Sequence, residues 1–262
     1  HIPQHEGNDV AYFCGNSLGL LPRATRQAVI DELDHWARHA VEGHFNGSLP
    51  WMDYHEFVRD DLAALVGAQP GEVVAMNSLS VNLHLLMVSF YRPSAERPAI
   101  LIEKSAFPSD RYAVEAQIRF HGFDPDQALI ELEADEADGT LSEAAILRAI
   151  EAHGARVALV LLPGVQYLTG QAMDLASITR TAHAQGCVVG FDLAHAVGNL
   201  TLDLHDSGCD FAVWCSYKYL NSGPGAVAGA FVHERHATTT RPRFAGWWGH
   251  DKSTRLRMRP QF

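Results

Sequence analysis

The apolar positions of the chain fall into short runs separated by longer stretches with helical spacing. Val157-Ala158-Leu159-Val160-Leu161-Leu162 contains no polar residue, as expected for a strand buried on both faces. Strands of similar length are predicted at Val73–Met76, Ala99–Glu103, Ala128–Leu132, Val188–Asp192, Phe211–Cys215 and Ala226–Val232. Helices are predicted between them at Ser80–Phe90, Asp110–Phe120, Ser142–Ala152 and Leu175–Ala184. Upstream, Pro22–Ala40 reads as a helix, with Pro near its start and apolar positions at Val29, Leu33 and Trp36. A further helix is predicted over Met52–Val66, stopped by Gly67. Alternating strands and helices predict an α/β fold, with a mostly parallel sheet covered on both faces. The link from Cys215 to Ala226 is too short for a helical crossover, so the last strand is expected to run antiparallel.

Composition narrows the class. The chain has 262 residues, 47% apolar and 19% charged, enough for a sizeable core in one large domain or one and a half. A net charge of −11 argues against nucleic acid or an anionic membrane as partner. No apolar run approaches the ~20 residues of a membrane span. Cys14, Cys187, Cys209 and Cys215 form no Cys-x-x-Cys pair, so buried thiols in a reducing, cytoplasmic setting are expected, without a disulfide frame or zinc site. The chain opens on His1-Ile2-Pro3-Gln4 without Met, and the expectation is that the gene product begins earlier.

In an open α/β sheet, ligands gather at the carboxyl ends of the strands. Asn77-Ser78-Leu79-Ser80 follows one strand and starts a helix, where it can cap free amides or bind a phosphate. Phe107-Pro108-Ser109-Asp110 follows another; Asp110 can cap, and Phe107 can staple the helix or stack on a flat ligand. Asp192 ends an apolar strand and needs a partner, which can be a metal, His195 or a protonated ring nitrogen. Lys218 stands between Tyr217 and Tyr219 ahead of the Gly-rich turn Asn221–Gly225. It either reaches solvent or serves as a desolvated, nucleophilic amine. In combination these residues match the needs of pyridoxal phosphate: a lysine for its aldehyde, a carboxylate for its ring nitrogen, phosphate donors and a flat neighbour. No Gly-x-Gly-x-x-Gly or Gly-x-x-x-x-Gly-Lys-Ser/Thr motif competes with this reading.

The stretches Phe13–Leu20, Phe107–Asp110, Gly190–Asn199, Trp214–Asn221 and Gly246–His250 closely resemble the kynureninase family, with motif spacing intact from about Phe13 onward. The resemblance implies a fold type I, three-layer α/β/α enzyme using pyridoxal 5'-phosphate. Its reaction is hydrolysis of the Cβ–Cγ bond of kynurenine or 3-hydroxykynurenine, in tryptophan breakdown. By the same resemblance Lys218 is the Schiff-base lysine, Asp192 the partner of the ring nitrogen and His195 its neighbour. Leu79 and Ser80 resemble phosphate contacts, and Phe107 the stacking aromatic, with Pro108, Ser109 and Asp110 beside it in the cofactor site. Tyr217 resembles a phosphate ligand and proton donor, and Trp247 a residue that reaches the cofactor of the second subunit of a homodimer. Ser17, His44 and His250 match substrate-site positions, and His44 favours a hydroxylated ring because it can hydrogen-bond it.

The implied organisation is an N-terminal segment, 1–50, contributing to a small domain and the substrate site, and a large cofactor domain, 51–262. The family continues beyond Phe262, so most of a C-terminal small domain, with an arginine for the substrate carboxylate, is expected to be missing here. Pro163 departs from the family, whose members often carry a hydroxyl there. Three other readings compete: a different fold type I enzyme such as a cysteine desulfurase or class V aminotransferase, a metal-binding or metal-dependent protein using Asp192, His195 and other histidines, and a non-catalytic truncated domain.

Overall fold

The computed structural model describes residues 1–135 and 137–260; Glu136, Gln261 and Phe262, the last two ending the expected large domain, lie outside the described residues. A two-residue hairpin, β1 (Gln4–His5) and β2 (Asn8–Asp9), precedes helix α1 (Thr25–His39). The expected Met52–Val66 helix is broken into a 3-10 turn at Trp51–Asp53, α2 (Tyr54–Phe57) and α3 (Arg59–Val66), with Val58 as the break between the last two. Gly67 ends α3 in the left-handed conformation at φ 62°, as expected of the residue that stops it.

From there the alternation holds: β3 (Val73–Ala75), α4 (Leu79–Phe90), β4 (Ala99–Glu103), α5 (Pro108–Phe120), a short α6 (Pro125–Ala128) and β5 (Leu129–Leu132). Then come α7 (Glu143–His153), β6 (Val157–Pro163), α8 (Leu175–Ala184), β7 (Val188–Asp192), a short α9 (Leu204–Ser207), β8 (Phe211–Trp214) and β9 (Gly229–Val232). The helical turns α6 and α9 and the hairpin carry too few residues to show periodicity in the sequence.

Seven strands form one sheet in the order β3-β9-β8-β7-β6-β4-β5. Strands β5, β4, β6, β7 and β8 pair in parallel, and β9 runs antiparallel to both β8 and β3, as the short link predicts. Two apolar layers cover it. One joins Leu101, Val160, Val189, Phe191 and Trp214 to α3, α7 and α8. The other joins Ile100, Ile102, Leu159, Leu161 and Phe211 to α4 and α5. Successive residues of a strand therefore enter opposite layers, which explains why these strands read as continuous apolar runs. Helix α1 differs: none of its residues is buried, and Val29, Leu33 and Trp36 are exposed. Among the described residues no helix is long and apolar enough to cross a membrane.

Gly190 pairs with Phe211 across β7 and β8, and a Cβ at Gly190 would drive into the Phe211 ring. Gly190→Ala is therefore expected to lower stability by about 1–3 kcal/mol, the usual cost of overpacking. A urea midpoint that falls with an unchanged slope is the readout; an unshifted midpoint would show that the ring moves freely.

Candidate active site

The carboxyl ends of β4, β6, β7 and β8 and the first turns of α4 and α5 line a cavity. Its walls include Leu79, Ser80, Glu103, Phe107, Ser109, Asp110, Pro163, Tyr167, Asp192, His195, Tyr217 and Lys218. Helices α7 and α8, whose starts lie outside this wall, are capped by the side chains of Ser142 and Asp174. Helices α4 and α5 have no side-chain cap; Ser78 and Phe107 occupy their cap positions and bond the helix start through their carbonyls alone. Capping by Ser78 or Asp110 is thus overturned, and Asp110 sits inside the first turn of α5. The two starts meet where Ser80 Oγ and Ser109 Oγ lie 2.9 Å apart. Uncapped amides, two hydroxyls and the positive ends of two helices favour a bound anion.

Lys218 lies in the loop after β8, its Nζ 2.9 Å from Nε2 of His195. The amine donates, so that ring nitrogen accepts. Burial and the Lys218 charge both hold the His195 pKa below its ordinary value, keeping the imidazole neutral. Lys218 Nζ also stands 5.9 Å from the centroid of the Phe107 ring. Tyr167 meets the same ring edge-on at 5.3 Å.

Opposite the amine are three buried carboxyl groups. Asp192 is buried at the end of β7, and its Oδ1 accepts the Ala194 amide at 2.7 Å. Asp110 hydrogen-bonds Asp192; burial and the Asp192 charge push its pKa far up, so Asp110 keeps its proton. Asp110 Oδ1 is itself buried without a partner. Glu103 is 3% exposed, and burial raises its pKa to about 7, with Gln166 partly offsetting this and Asp192 adding to it. Burial together with neighbouring Cys215 raises the Tyr217 phenol to about 12, so it holds its proton at neutral pH.

Of the residues singled out in the sequence, Leu79, Ser80, Phe107, Ser109, Asp110, Asp192, His195, Tyr217 and Lys218 share this cavity. Pro108 is the first residue of α5 behind it. Ser17 and His44 are exposed, His44 lying edge-on to Trp51, and Trp247 is exposed and donates to the Arg255 carbonyl. His250 is half-buried next to Thr254. The segment carrying Ser17 nevertheless reaches the site's rear: Gly19 donates its amide to the Tyr217 carbonyl at 2.8 Å. Glu103, Gln166 and Tyr167 were not singled out. Glu103 carried the same signal as Asp192, an acid closing an apolar strand.

The sequence pattern described as Aminotransferase class-V matches residues 11–246. The chain belongs to the aminotransferase class-V family. Within it, the chain is 67% identical over 261 residues to proteins named Kynureninase from Xanthomonas euvesicatoria pv. vesicatoria (strain 85-10) and Xanthomonas campestris pv. campestris (strain B100). It aligns over its whole length and spans 62% of the length of these curated relatives. A solved complex of the cystine C-S lyase C-DES superimposes with a TM-score of 0.74 at 18% identity, over 90% of this chain and 60% of the other. The apo cysteine desulfurase from Thermococcus onnurineus NA1 gives 0.66 at 18% identity, over 86% and 54%. At this identity the likeness shows the aminotransferase class-V fold alone.

The buried acids make stability depend on pH. Glu103 titrates near 7 in the fold and near 4.5 when unfolded, so its contribution is complete below pH 4.5 and lost as pH rises through 7. Glu103→Gln is expected to match wild type at pH 4.5 and to exceed it by roughly 1–3 kcal/mol at pH 8. Urea midpoints at the two pH values test this; equal midpoints at pH 8 would refute it.

Proposed function

We propose that this chain is the cofactor-binding part of a kynureninase, which hydrolyses the Cβ–Cγ bond of kynurenine or 3-hydroxykynurenine to alanine and the corresponding anthranilate. Support comes from 67% identity to proteins of that name and, above all, from one cavity shared by Lys218, Asp192 and two uncapped helix starts. The residues fit pyridoxal 5'-phosphate. The buried, unpartnered Asp110 Oδ1 and the Asp192 carboxylate await a cationic ring nitrogen, and the starts of α4 and α5 suit a phosphate. When bound, the cofactor supplies an electron sink for charge that develops on the substrate carbons.

The chain's own groups then have distinct tasks. Lys218 Nζ would hold the cofactor's aldehyde and later carry the substrate's α-proton, with His195 Nε2 orienting it. Phe107 offers a flat face, and Tyr167 fixes that ring edge-on. Tyr217 retains its proton at neutral pH and is the candidate acid for the ketone oxygen as water adds to the carbonyl carbon. Pro163 lines the cavity without a hydroxyl, leaving hydrogen bonding to its neighbours.

Ser17, His44 and His250 are assigned to the substrate side, and Trp247, exposed on its own chain, to the cofactor site of a second copy in a homodimer. This extends the division into an N-terminal segment and a large domain. Cytoplasmic location is part of the same reading and is supported by four free cysteines, three of them buried.

Incubation of the purified protein with each substrate, following the aromatic amine and alanine, tests the proposal. Lys218→Ala is expected to abolish the bound cofactor's visible absorbance and cut turnover by about 10³-fold or more. An unchanged spectrum would refute the assignment. His44→Phe is expected to shift the preference between the substrates toward kynurenine by roughly 10-fold, the worth of one hydrogen bond. An unchanged ratio removes His44 from the substrate site.

A further inference from the structure

At the edge of the sheet opposite the cavity, three sequence-distant segments bring a carboxylate and two imidazoles together. Glu72 immediately precedes β3, His233 immediately follows β9, and His205 lies in α9. Because β9 runs antiparallel to β8, its end lies where the parallel strands begin, remote from Asp192 and Lys218.

Glu72 is buried, and each of its oxygens is held by a backbone amide: Oε1 accepts from Glu234 and Oε2 from Gln69, both at 2.8 Å. Such bonds fix a carboxylate as a ligand while leaving each oxygen a second lone pair. His205 Nδ1 lies 3.0 and 3.1 Å from the two oxygens, and His233 Nδ1 lies 3.6 Å from Oε1. The donor atoms of the three residues all fall within 4.8 Å of one another, and the imidazoles stack at 5.0 Å. A tetrahedral ion with N and O donors at ~2.0–2.1 Å separates its ligands by roughly 3.4 Å, and the spacings of 3.0 and 3.6 Å bracket that value. Both imidazoles are partly exposed, which leaves an outer position for water.

We propose that Glu72, His205 and His233 form a binding site for a zinc-type divalent cation, with water as fourth ligand. Two imidazoles and one carboxylate are a donor set that zinc accepts. The ion takes the place between His205 Nδ1 and the Glu72 oxygens. Binding releases the 3.2 Å contact from the Arg235 amide to His233 Nδ1. An imidazole must be deprotonated to bind a metal, so affinity falls as pH falls.

The test uses chelator-treated protein without a histidine tag, titrated with Co²⁺ and dialysed against Zn²⁺. One ion per chain and the visible bands of tetrahedral Co²⁺ are expected. His205→Gln and His233→Gln should each weaken binding by at least about 10-fold at unchanged far-UV circular dichroism. His183→Gln and His236→Gln, altering the imidazoles that contact Asp210 at 2.9 and 2.7 Å, should leave binding intact. No tight ion on the wild type, octahedral Co²⁺ spectra, or folded His205 and His233 variants that bind like wild type would overturn the site. The wild-type titration stands even if a variant fails to fold, and none of these readouts depends on pyridoxal phosphate.

Discussion

A carboxylate at the end of a strand that is apolar on both faces governs the site. Moving such a group from water costs several kcal/mol unless partners replace the lost hydration. Asp192 has the Ala194 amide, the proton of Asp110, and the nearby pair formed by Lys218 and His195. The compensation is incomplete by design of the surroundings: Glu103 and Asp110 add acidity to the same cavity, and one oxygen of Asp110 stays unpartnered. A cationic heteroaromatic ring relieves that imbalance, and a neutral one does not.

The other half of the ligand is met by backbone. Capping side chains close the starts of α7 and α8, whereas α4 and α5 open onto the cavity without them. Cation-seeking carboxyls at the ends of β4 and β7 and anion-seeking helix starts on α4 and α5 thus form two complementary poles, with Phe107 between the amine and Tyr167. That polarity fits a molecule with a protonated ring at one end and a phosphate at the other.

Most of the layer architecture was legible because it rests on local pattern. The strands Ala99–Glu103 and Val188–Asp192 and the helix Leu175–Ala184 appear with the bounds that their apolar runs predict. Lys218 and Asp192 stood out because a charge beside an apolar run is costly wherever the fold places it. Glu103 carries the same signal, an acid closing the apolar strand Ala99–Glu103. The missing caps were not legible: Ser78 has the right side chain in the right place, and only its geometry leaves the amides free. The pairing of Glu72 with His205 and His233 was equally hidden, because no short-range spacing links residues brought together by an antiparallel strand and a helical turn. Helix α1 shows the reverse limit: its apolar spacing was visible, but the described residues bury none of it.

The bond from the Gly19 amide to the Tyr217 carbonyl has a temporal side. During synthesis the segment around Gly19 leaves the ribosome long before its acceptor exists, and a Cβ at Gly19 would collide with the Lys218 carbonyl once the two meet. The segment therefore waits, unpaired, until nearly the whole sheet has been made. The loop that carries Lys218 gets its rear support late, from residues translated early, so docking of the N-terminal segment reports that the sheet beneath it has closed.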